Sequence, residues 1–194
     1  MIKRSLLEKL YVRDGQSMQE IANILNCSVH KVAYWMNQHN INRRSISDAV
    51  YMKLNPDGDP FFFHEPKNMK EAELFGLGIG LYWGEGTKAN KNTVRLGNSD
   101  PNLLNKFIEF LVKIYGVDKE SLKFELQIFN NVPTEEAEKY WTKELDIKKK
   151  QLYKTRVTPS RGEGSYRKKN CYGVMTVYYG NTKLRNRLVE ILPR

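Results

Sequence analysis

The chain has 194 residues, enough for one medium domain or a small domain beside a larger one, and 40% of them are hydrophobic, enough for a proper core. Its 32 lysines and arginines against 22 acids give a formal net charge of +10. That excess points to a polyanion, nucleic acid first and an anionic membrane second, although a merely soluble basic protein would share it. No apolar signal region opens the chain, its longest apolar run is about half the roughly 20 residues a membrane span needs, and no zinc-ligand spacing exists, so a soluble, cytoplasmic protein is expected.

Residues 4–12 place Leu6, Leu7, Leu10 and Tyr11 at helical spacing until Asp14-Gly15 breaks the run. Ser17 and Glu20, three apart, are the capping box of a second helix with Met18, Ile21, Ala22 and Leu25 inside. Asn26-Cys27-Ser28 is a short turn, and Ser28 can cap a third helix that is apolar at Val29, Val32, Ala33 and Met36. Cys27 and Cys171 are far apart and read as free thiols in a reducing compartment. Helix, tight turn, helix resembles a helix-turn-helix DNA-binding domain, assigned to residues 1–48. The resemblance implies that the third helix enters the major groove and shows His30, Lys31, Tyr34 and Asn37 to bases or phosphates. An ordinary three-helix bundle with the same caps is the alternative. Arg43 and Arg44 follow, either along the DNA backbone or minor groove or as plain solvated surface.

Three prolines and a glycine break up the stretch after residue 50, so residues 49–69 read as a linker, with Phe61, Phe62 and Phe63 docked on one of the two domains. Lys70 to Gly84 is a helix in which Gly76, Gly80 and Gly84 recur every fourth residue, one flat stripe free of side chains. Each glycine costs roughly 1 kcal/mol against alanine there. Close approach of another helix would offset that cost, because only small residues permit it. A strand follows over 90–98, then a helix from Asp100-Pro101 to Gly116. Residues 122–129 alternate strictly, with Lys123, Glu125 and Gln127 on the wet side. A helix over 134–145, strands over 152–158 and 172–179, and a helix over 181–192 complete an α+β domain, residues 70–194, with an antiparallel sheet. The connector between the last two strands carries Arg161, Arg167 and Lys168 among turn formers, a loop suited to a phosphate backbone.

Ile79-Gly80-Leu81-Tyr82-Trp83-Gly84-Glu85-Gly86 resembles the LAGLIDADG motif of homing endonucleases: Gly80-Leu81 matches the family's Gly-Leu, Gly86 its closing glycine, and Glu85 replaces its metal-binding aspartate. Trp83 departs from the pattern and is expected to pack under the sheet. The element order is similar to the family's αββαββα saddle, with the 134–145 helix extra. With one motif, the chain is similar to the homodimeric members, which implies pairing through Gly76, Gly80 and Gly84 and a shared centre built from two copies of Glu85. The resemblance further implies Mg²⁺, or another divalent cation, held by Glu85 and the Gly84 carbonyl, with Lys154 or Lys123 balancing the developing charge and hydrolysis of both strands of duplex DNA. Thr87, Lys88, Asn90, Lys91, Arg95, Gln127 and Arg156 would then face the duplex, together with Lys123 and Lys154. A glutamate at the electronegative end of a helix is unfavourably placed, which argues for use. A non-cleaving DNA-binding regulator on the same fold is the alternative, and an RNA-binding splicing helper the third.

Overall fold

The computed structural model describes residues 1–159 and 172–193, and the chain divides into two compact units, Met1–Asp59 and Pro60–Arg194. In the first, α1 (Arg4–Leu7) continues as a wider π-helical stretch (Glu8–Arg13) and is followed by α2 (Met18–Ile24), α3 (Val29–Gln38) and α4 (Ile46–Leu54). The capping box forms: the Glu20 N–H donates to Ser17 Oγ at 3.2 Å and the Ser17 N–H to Glu20 Oε2 at 2.7 Å. Asn26, φ 46°, turns the corner into α3 in a left-handed conformation that asparagine tolerates, and Ser28 Oγ accepts from the Lys31 N–H. Leu7, Ile21, Val32 and Met36 are fully buried together. Helix α4 lies where the linker is expected to begin. Ser45 caps it, its Oγ accepting from the Asp48 N–H at 3.1 Å, a signal masked in the sequence by the prolines just beyond.

The second unit runs α5 (Met69–Glu85), β1 (Val94–Asn98), α6 (Pro101–Tyr115), β2 (Lys123–Phe129), α7 (Thr134–Glu144), β3 (Arg156–Thr158), β4 (Val174–Tyr179) and α8 (Thr182–Ile191), an α+β fold. The sheet order is β1-β4-β2-β3. Pairs β1–β4 and β4–β2 are antiparallel, but β3 runs parallel to β2, which corrects the all-antiparallel sheet. The reason is α7: a crossover helix between two strands carries the chain back to the end of the sheet it came from. Alternation gives the sheet two faces. Val94, Leu96, Phe124, Leu126, Met175 and Val177 belong to the core with Leu104, Phe107 and Leu111 of α6. Ala137, Trp141 and Leu145 are fully buried as their spacing predicts, and Trp141 Nε1 donates to the Tyr172 carbonyl at 2.8 Å. Phe61 is buried in the same core, and the next residues dock by backbone: the Phe62 N–H donates to Tyr115 O at 2.9 Å and the His64 N–H to Ile114 O at 2.7 Å.

Candidate functional site

Helix α5 buries one row, Leu74, Gly78 and Tyr82, each four residues from the next. A Cβ on Gly78 would sit 2.1 Å from the Phe110 ring, so this glycine lets α6 approach. Gly76, Gly80 and Gly84 form the opposite row, since two residues along a helix is about 200° around it. They are exposed, and a Cβ on any of them would meet nothing within 4 Å among the described residues. Leu77 and Trp83 are also uncovered on this helix, at 46% and 54% exposure. Trp83 therefore does not pack under the sheet; Tyr82 takes the buried position, its ring stacked on Phe107, and Trp83 lines an open groove with Lys88, Val189 and Leu192.

Glu85 ends α5. Its side chain is exposed and makes no ion pair or hydrogen bond among the described residues. The last carbonyls of a helix lack helical partners. Here the Gly86 N–H donates to Tyr82 O at 2.9 Å and Lys88 Nζ donates to Trp83 O, so Lys88 brings a cation to the same helix end as Glu85. Arg185 holds the Lys88 carbonyl in turn. The loop into β1 is tied down: the Thr87 N–H donates to Arg95 O at 2.9 Å, and Asn90 Oδ1 accepts from the Asn92 N–H and from Thr93. Thr87 and Lys91 stay exposed. Among the described residues no group of three or more His, Cys, Asp or Glu side chains converges, so one chain offers Glu85 alone.

One row of paired residues crosses the whole sheet: Gly86, Leu96, Val177, Phe124, Leu152. With strands about 4.8 Å apart, the backbone at Gly86, beside Glu85, is roughly 19 Å from that at Leu152, two residues before Lys154, and roughly 14 Å from that at Phe124, beside Lys123. Lys123 Nζ is 3.5 Å from the Lys150 carbonyl, on the far side. Neither lysine stands beside Glu85 within one chain. The open face does bring together Arg95, Lys123, Gln127 and Arg156, with Glu125, named from the sequence only as outward, and with two residues not named from it, Thr176 and Tyr178. Arg156 Nη2 lies 2.7 Å from Glu125 Oε1, and the Tyr178 hydroxyl donates to Glu125 Oε2. The Arg95 guanidinium lies over the Tyr178 ring, 4.8 Å from its centre, with Nε donating to Thr93 Oγ1 at 2.8 Å. Burial first, and then the bond to Glu125, push the Tyr178 hydroxyl up to about 12. A lateral chain, Arg95, Tyr178, Glu125, Arg156, thus spans all four strands. Alternation alone marks these positions as outward; their diagonal contacts depend on register.

In the first unit, His30, Lys31, Tyr34 and Asn37 are all exposed on α3, and Arg43 is exposed beyond it. Arg44 is engaged inside the unit. Nη1 donates to Gly15 O at 2.8 Å, Nη2 to Tyr11 O at 2.8 Å and to Gln16 O at 2.5 Å, and the guanidinium lies 4.1 Å over the Tyr11 ring. It ties the loop after the first helix to the segment after α3. Arg161, Arg167 and Lys168 lie outside the described residues. No helix among the described residues is long and apolar enough to cross a membrane. No protein-family model, curated protein or solved structure matches the chain.

Proposed function

We propose that the chain is a site-specific DNA-binding protein of the homing-endonuclease type, a homodimer that hydrolyses both strands of a duplex with a divalent cation. The observation that carries this reading is the glycine row on α5, which costs helix stability and on which an added Cβ would meet nothing within 4 Å among the described residues. Packed against its symmetric copy, the row lets two backbones approach, and each helix delivers one Glu85 to the two-fold axis. The polar face of the sheet then lies on the duplex as a saddle, with Arg95, Lys123, Gln127 and Arg156 facing it, and α3 extends the contact through His30, Lys31, Tyr34 and Asn37.

The donor set suits Mg²⁺: an exposed carboxylate free of partners and the Gly84 carbonyl beside it are hard oxygen ligands. A cation bound there supplies an acidified water and offsets charge on the phosphate. Glu85 holds it, while Lys88 contributes positive charge at the same helix end. The test is the full chain with a library of duplexes, with and without Mg²⁺, beside Glu85→Gln. Metal-dependent double-strand cleavage by the wild type, and binding without cleavage by the variant, is expected. Tight binding of one sequence with no cleavage by either protein would sink the nuclease and leave a DNA-binding regulator. A monomer of the wild type on its duplex would sink the paired helix.

A further inference from the structure

Among the described residues the open face of the sheet is basic at its edges but carries one acid, Glu125, on β2, one of the two central strands, and both its oxygens are engaged by neighbouring strands. An acid in the middle of a surface that meets phosphates is a liability if every cation there binds backbone. Its placement has a different logic if it sets the pose of one side chain. Arg156 sits on β3, an edge strand of three residues, and its side chain is 64% exposed while that of Glu125 is 21% exposed. The ion pair uses Nη2, and a guanidinium has five N–H donors in a fixed fork, so donors remain for a second planar acceptor pair. Glu125 cannot swing away with Arg156, because the Tyr178 hydroxyl from β4 holds its other oxygen.

We propose that Arg156 reads guanine in the major groove, and that Glu125 and Tyr178 are positioning residues that set its pose. Guanine presents O6 and N7 as adjacent acceptors that match the fork of arginine. The Glu125 carboxylate cancels most of the charge that a phosphate would reward but leaves the donor geometry intact, so the pair is built for base edges over backbone. This rests on the sheet being a duplex-DNA surface, as in the function proposed above. The narrow major groove of duplex RNA would not admit it.

The test is selection of bound duplexes from a randomised pool by the full chain, followed by affinity against salt for the selected sequence. Wild type is expected to enrich guanine at one position per half-site, by roughly five- to a hundred-fold over other bases. Arg156→Gln and Arg156→Lys should lose that preference, both folded as judged by unchanged thermal unfolding, while preferences elsewhere persist. Glu125→Gln and Tyr178→Phe should weaken the preference at the same position only, and Glu125→Gln should also steepen the salt dependence, because the Arg156 charge is no longer cancelled. Lys123→Ala, as contrast on the same face, should flatten the salt slope by about 1 and leave every base preference as it was. The proposal is overturned if Arg156→Gln keeps the wild-type guanine preference, or if it weakens all sequences equally and flattens the slope as Lys123→Ala does. If wild type enriches no duplex, the DNA reading of the sheet fails and takes this one with it; enrichment unchanged by Arg156→Gln fails this one alone.

Discussion

Replacing Gly80 by alanine should make the isolated chain more stable and the proposed dimer weaker. The added Cβ meets no atom within 4 Å among the described residues, so the backbone preference acts there. Alanine is favoured over glycine in an exposed helix interior by roughly 1 kcal/mol, much of it through the unfolded chain. For a unit of this size that raises the melting temperature by about 3–6 °C. In a symmetric seam the same methyl group appears twice where two backbones meet. Overpacking costs about 1–3 kcal/mol per site. Two sites together weaken association by about 2–6 kcal/mol, a rise in dissociation constant of roughly thirty-fold or more. Stability is read by thermal unfolding at dilutions where wild type is monomeric, and association by sedimentation equilibrium with and without duplex. A less stable monomer would mean that Gly80 has a role within its own chain. A more stable variant that still dimerises and cuts as wild type would refute the close-packed helix pair.

Gly78→Ala gives the opposite sign on the same helix: its Cβ would lie 2.1 Å from the Phe110 ring, so a loss of about 1–3 kcal/mol is expected by chemical unfolding, and no change would refute the packing described. Arg44→Gln should destabilise the first unit by about 1.5–3 kcal/mol through loss of charged hydrogen bonds to the Tyr11, Gly15 and Gln16 carbonyls, whereas exposed Arg43→Gln should stay within about 0.5 kcal/mol; equal melting temperatures would show that Arg44 holds nothing together. Tyr115 and Tyr178 are each pushed up to about 12 in the folded chain, so the unfolded chain releases their protons first, from about 10. Their contribution to stability is complete below about pH 10 and is lost as pH rises toward 12. Tyr178→Phe should therefore show a shallower alkaline decline in unfolding free energy, and a decline as steep as wild type would rule the mechanism out.

Local signals carried much of the fold. The Ser17–Glu20 box, the Asp100-Pro101 start and the strict alternation through Lys123–Phe129 each specify an element without reference to the rest of the chain, and each element forms. The parallel β3 did not show, because a three-residue strand has no usable periodicity and its direction is decided by the crossover through α7. Helix α4 was obscured by Pro56 and Pro60, although Ser45 and Asp48 carry its start. Trp83 differs from the expectation by one residue of helical phase: Tyr82 and Trp83 are adjacent, and only one of two neighbours can face α6.

The site divides along the same line. Positions that share one helix are legible from spacing, which is why Gly76, Gly80 and Gly84 read as one row, with Glu85 at the helix end, and all four are exposed there. Residues whose task depends on register could not. Tyr178 and Glu125 are 53 positions apart, and Glu125 meets Arg156 only because β2 pairs with β4 on one side and β3 on the other. Shifting either pairing by one residue would turn these side chains into the core and expose Val177 or Phe124 instead, at a cost in buried apolar area that the sheet cannot absorb. The hydrophobic face therefore sets the polar chain indirectly: Leu96, Val177 and Phe124 hold the register, and that register brings Tyr178 and Arg156 to Glu125. A substitution that frees this register, such as Val177→Asp, should accordingly scatter the polar face as well as the core, whereas Glu125→Gln alters the polar face and leaves the pairing intact.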